Sequence, residues 1–213
     1  MYIFLMLAPL AAAFLILAYH KVWERRAILR PLVLGLAGYL PAWVIRLIIE
    51  ALTPDIFYGA TLFLYALLVE HLIPIALGIA LFFLLAGYIR EAGRSIFVVG
   101  MSAFFAGFFT LEALLFLALN PDIVTPHDLF VLPVLRLGAL AAIPVFVWGI
   151  RSGGGPDRLL FALGATLMMA AFAVVSYLSG LNYHLVSYVL TGVLASLVVL
   201  LYLLVGGVTR GSR

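Results

Sequence analysis

Seven apolar runs, each near the length that crosses a bilayer, follow one another along this chain with only short polar breaks between them. A membrane span needs about 20 mainly apolar residues. Runs of that kind occupy positions 2–19, 31–52, 58–88, 96–119, 129–150, 159–179 and 184–206. The breaks read as loops: HKVWERRAILR, TPDIF, IREAGR, NPDIVTPHD, RSGGGPDR and SGLNY. All are short, so consecutive helices are expected to be antiparallel neighbours. The third run is long enough to tilt, to kink at Pro74 or to project past the bilayer. No soluble domain, long linker or internal repeat interrupts the pattern. The expected fold is all-α, a single polytopic membrane domain of seven transmembrane helices over residues 1–213.

Composition excludes the alternatives. The chain is 67% hydrophobic and 10% charged, whereas a soluble domain carries roughly 25% charged residues. Cysteine is absent, which removes disulfides, thiolate metal sites and cysteine nucleophiles. The net charge of +3 does not indicate nucleic acid, because the basic residues sit in inter-helix loops rather than on one patch. The sole lysine, Lys21, falls in a loop, so a retinal Schiff base inside the bundle is excluded.

Those loop charges orient the chain. Lys21, Arg25, Arg26, Arg30, Arg90, Arg94, Arg151, Arg158, Arg210 and Arg213 lie in the odd-numbered loops and the tail, and the even-numbered loops carry no Lys or Arg. By the positive-inside rule the amino terminus is outside and the carboxyl terminus cytoplasmic. The first run lacks a basic segment before it and a small-x-small cleavage site, so it reads as a retained helix rather than a signal peptide. The bilayer is the first partner, and the expected location is the cytoplasmic membrane of a prokaryote.

Six ionisable residues lie within the spans: Arg46, Glu50, Glu70, His71, Glu112 and Arg136. A charge at the centre of a transmembrane helix costs roughly 2.5–3.5 kcal/mol on insertion scales, so such residues mark a site or an internal lock. At 1.5 Å per residue, Arg46, Glu112 and Arg136 lie about seven or eight residues from the outer ends of their spans, Glu50 nearer that end. Glu70 and His71 lie deeper, about twelve residues in. These residues form a candidate buried polar core of Arg46, Glu50, Glu70, Glu112 and Arg136. One reading is an ion-pair lock of Glu112 with Arg136, and of Arg46 with Glu50 or Glu70; Arg46 and Glu50 are four apart on one helix face. Another is a chamber where Glu70, His71 and Glu112 do chemistry. A third is a path for protons or ions.

Four stretches carry a family resemblance. APLAAAFLILAYHKVWERR (8–26) with LGLAGYLPAWVIRLIIE (34–50), ALLVEHLIP (66–74), FFAGFFTLEALLF (104–116) and LPVLRLGAL (132–140) resemble the PrsW-type putative intramembrane proteases of the CAAX-protease and bacteriocin-processing superfamily. The likeness spans about the first 150 residues. It implies that Glu70 and Glu112 stand where the family has catalytic acids. The family's second glutamate is His71 here, its lysine Pro74, its asparagine Ala113 and its tyrosine Phe116. A family histidine falls on Arg136, and another on the apolar stretch around Met168 and Met169. Arginine stays protonated and cannot serve as a general base. The span count and orientation are also similar to the seven-helix anterior-pharynx-defective subunit of gamma-secretase, a scaffold.

The resemblance therefore implies a non-catalytic pseudoprotease or scaffold that binds a transmembrane helix or membrane peptide. The alternatives are an active intramembrane peptidase using Glu70, His71 and Glu112, or a small transporter or channel. No cofactor and no metal are expected. His71 and His184 differ too much in depth to hold a haem between them, and Glu70 and His71 point about 100° apart, so they do not readily share one zinc ion. His20 reads as interfacial, and His127 as a loop residue beside Asp128 that caps the next helix. Ala103 and Gly107 permit close helix contact inside the bundle, and the glycine run 153–155 reads as a flexible turn.

Overall fold

The computed structural model describes residues 2–52, 59–89, 93–119, 125 and 127–207, with the side chains of 2–7, 50 and 204–207 outside that description. Among the described residues the chain is helical without strands. The helices are α1 (Tyr2–His20), α2 (Arg25–Leu52), α3 (Ala60–Leu85), α4 (Arg94–Leu119), α5 (His127–Ser152), α6 (Gly155–Gly180) and α7 (His184–Gly207). The six from α2 onward are long and apolar enough to cross a membrane, and α1 is apolar along its 19 residues.

Several helices outrun their apolar runs at the basic end. The α2 helix begins at Arg25 rather than at 31, and α4 at Arg94 rather than at 96. Hydropathy stops at the last apolar side chain, whereas backbone hydrogen bonding continues until the chain turns. The third helix differs the other way: it ends at Leu85, and Gly87–Ile89 form a 3-10 turn. Its interior holds a π-helical segment, Ala66–Leu72, just before Pro74, where a kink was one of three expectations for this long run.

The bundle is organised around α4. Fifteen of its residues are buried, among them Phe97, Phe104, Phe105, Phe108, Phe109 and Glu112. Its seam with α2 is tight because glycine faces backbone on both sides. A Cβ on Gly35 would stand 1.9 Å from the Phe104 carbonyl oxygen, and one on Gly107 would stand 2.1 Å from that of Leu32. Neither position admits a side chain without parting the helices. Gly107 thus packs internally, as the small-residue spacing on this helix predicts.

Below the polar layer, Phe82, Phe97, Phe104, Phe105 and Phe108 are fully buried. Edge-on contacts join Phe82 to Phe97 at 5.7 Å and Phe82 to Phe104 at 5.6 Å. Aromatic pairs of this geometry contribute roughly 0.5–1.5 kcal/mol beyond burial. They fill the centre of the bundle between the charged layer and the basic end.

Candidate functional site

Proline sets the local geometry on α3. In an α-helix the Glu70 carbonyl would accept from residue 74, but Pro74 has no N–H. The chain instead widens to i→i−5 bonding, with Ile73 N–H donating to the Leu68 carbonyl. Such π segments concentrate at functional sites. The freed Glu70 carbonyl takes a hydrogen bond from Arg136 Nη2 at 2.8 Å.

The same guanidinium donates to Glu112 Oε1 at 2.7 Å and lies over the Phe109 ring at 5.0 Å. Arg136 is 4% exposed and Glu112 6%, so this is a buried, charge-assisted bond of the stronger class. The expected Glu112–Arg136 pair is present. Arg46 Nη1 also stands 3.7 Å from Glu112 Oε1, so two arginines face one carboxylate. Tyr39, two turns earlier on the same face of α2, lies near Arg46 and meets Phe108 edge-on at 5.0 Å. The Glu50 side chain lies outside the described residues.

Glu70 and His71 part company. The Glu70 carboxylate turns to His127, whose Nε2 lies 3.9 Å from Oε2. His71 is fully buried on the opposite side, its Nε2 2.9 Å from Ser176 Oγ on α6. Sequence reasoning grouped His71 with the two acids; the structure puts His127 there instead. A reciprocal cap at the start of α5 places it: Thr125 N–H donates to Asp128 Oδ2 at 3.0 Å, and Asp128 N–H to Thr125 Oγ1 at 3.3 Å. This is a capping-box arrangement, legible as T-P-H-D. It makes Thr125 the capping residue with Asp128 as its reciprocal partner, and leaves the intervening histidine to face Glu70.

These groups border a cavity of about 90 Å³, lined by Pro9, Arg46, Glu70, Phe109, Glu112, His127, Asp128 and Arg136 among others. At roughly 30 Å³ per molecule of liquid water it holds a few waters, not a helix. Glu70 Oε2, His127 Nδ1 and Arg136 Nε and Nη1 are buried there without a protein hydrogen-bond partner. Buried polar atoms of this kind are normally satisfied by water or ligand. The lining carries two arginines, three acids and one histidine, so protonation of His127 would bring the formal sum to zero.

Compared with protein families, curated proteins and solved structures, the chain matches none.

Proposed function

We propose that this chain is an integral protein of a prokaryotic cytoplasmic membrane, amino terminus outside, that uses a PrsW- and CAAX-protease-like bundle to bind a transmembrane or peptide partner without cutting it. The observation that carries the reading is Arg136, which engages both the Glu112 carboxylate and the Glu70 backbone. A general base must reach water and the proton it removes. Glu112 is instead engaged by Arg136 and faced by Arg46. The orientation rests on the clustering of Lys and Arg at the end of the bundle away from the chamber.

A peptidase is the second reading, favoured by one feature: Glu70, Glu112 and His127 line a single cavity large enough for water. Transport needs a wet path across the membrane, and the buried phenylalanines beneath the chamber weigh against it.

The test is co-purification from native membranes in gentle detergent, comparing wild type with a Glu70→Gln, Glu112→Gln double variant. The expected result is an intact membrane partner held by both forms. A cleaved partner with wild type, replaced by trapped full-length protein with the variant, would overturn the scaffold reading and establish a peptidase.

A further inference from the structure

Arg136 uses less than half of its hydrogen-bonding capacity on the protein. A guanidinium carries five N–H donors. The two on Nη2 go to the Glu70 carbonyl and to Glu112 Oε1. The three on Nε and Nη1 are buried without a protein partner among the described residues. The same chamber holds a carboxylate oxygen in the same condition, Glu70 Oε2. His127 Nε2 stands 3.9 Å from it, beyond hydrogen-bond reach.

Buried donors on a cation call for an anionic acceptor, and a buried oxygen on an anion calls for a cationic donor. The two needs lie close together. Arg136 already bonds the Glu70 backbone at 2.8 Å, so only the Glu70 side chain separates them. The charges lining the chamber are two arginines and three acids. An anion alone would add to the acidic excess, and a cation alone would leave the Arg136 donors unmet. A ligand carrying both signs meets both needs and adds no net charge.

We propose that the chamber binds a small zwitterion, an α-amino acid of the size of glycine or alanine. Its carboxylate accepts from the unused N–H groups of Arg136, and its ammonium donates to Glu70 Oε2. This assignment goes beyond partner binding and does not depend on it. The dimensions agree. A cavity of about 90 Å³ holds about three waters at roughly 30 Å³ each, which a molecule of that size displaces and a peptide overfills. The rest of the wall includes Phe109, Ala113 and Phe116. Such a lining suits a hydrogen or methyl side chain, and a few polar groups in a mostly apolar pocket are the usual make-up of a small-molecule site.

The experiment is equilibrium binding of radiolabelled glycine to the detergent-purified chain, with unlabelled acetate and methylammonium as competitors at fixed ionic strength. One saturable site per chain is expected, and each competitor is expected to displace the label at least tenfold more weakly than unlabelled glycine does. Glu70→Gln removes the charge that faces the ammonium. It is expected to weaken glycine binding at least tenfold and to leave the weaker binding of acetate no lower than in wild type. Arg136→Met combined with Glu112→Gln removes both charges of the buried pair together, and is expected to lose glycine and acetate alike. The three ligands on wild type decide the matter even where a variant does not fold. The inference is overturned by the absence of saturable glycine binding, which would leave water alone in the chamber. It is also overturned by acetate or methylammonium competing as well as glycine, or by undiminished glycine binding in a folded Glu70→Gln variant.

Discussion

Arg136→Met separates the contributions of the buried charge cluster most directly. The substitution keeps an apolar side chain of similar reach but removes a guanidinium that is 4% exposed. Two groups lose their partner: Glu112 Oε1, bonded at 2.7 Å, and the Glu70 carbonyl, bonded at 2.8 Å. Breaking a buried ion pair by deleting one partner costs about 3–5 kcal/mol, and a buried carbonyl left unpaired costs about 1–3 kcal/mol more. Arg46, already 3.7 Å from Glu112, recovers part of the first amount by moving closer. The net expectation is a loss of about 3–5 kcal/mol. At roughly 2–4 °C per kcal/mol for a chain of this size, the melting temperature falls by about 6–20 °C. The decisive comparison adds Glu112→Gln, which removes the stranded charge. The double variant should regain at least half of the loss, measured as the melting temperature of the detergent-solubilised protein followed by size-exclusion recovery. Equal melting temperatures for the single and double variants would refute the assignment of the loss to an uncompensated Glu112 carboxylate.

Other variants probe the scaffold. Gly107→Val sets a branched side chain against the Leu32 carbonyl, where even a Cβ would stand at 2.1 Å; a loss of about 1–3 kcal/mol or more is expected from overpacking, read as a fall in folded yield and melting temperature. Pro74→Ala restores an N–H to which the Glu70 carbonyl can bond. Helix-interior proline costs about 3 kcal/mol, so the variant should melt no lower than wild type, and a cysteine placed at position 70 in that background should react more slowly with a water-soluble maleimide. Orientation is testable because the chain has no cysteine. Tyr183→Cys, at a position 58% exposed, should be labelled by an impermeant maleimide in intact cells, and Lys21→Cys only after lysis.

The helices were legible because the bilayer imposes them: a long apolar run leaves the backbone no partner but itself. The Glu112–Arg136 contact was legible from depth alone, since both lie about eight residues from the same-side ends, away from the basic loops, of adjacent antiparallel spans. Depth does not choose between neighbours at the same level, however, and Arg46 also reaches across to Glu112 on α4. Rotation about the axis was the other unknown. Reading α3 as regular apart from a proline kink leaves the direction of each side chain undetermined, and the π segment turns Glu70 toward α5 while His71 faces Ser176 on α6. His127 was read as a loop residue because the apolar run starts after it. The signal that repositions it was present in T-P-H-D, whose Thr125–Asp128 cap starts the helix at the histidine itself.

The chamber joins two devices of the same kind. On α3 the π segment ends at Leu72, two residues before Pro74; on α5 another ends at Val131, two residues before Pro133. In each case proline withdraws the donor that a regular turn would use, and the wider turn follows. The first device presents Glu70 and a bare carbonyl, the second presents His127, and Arg136 sits one turn beyond the second to take that carbonyl. Shape and charge in this site therefore have separate origins. Pro74 bears no charge and does not line the cavity, yet it determines where Glu70 points; Arg136 determines whether the acids are neutralised. Hydrolytic chemistry in such a chamber would require release of Glu112 without loss of the π turn. Arginine at position 136 opposes this, because it joins the carbonyl that the turn exposes to the carboxylate that catalysis would need.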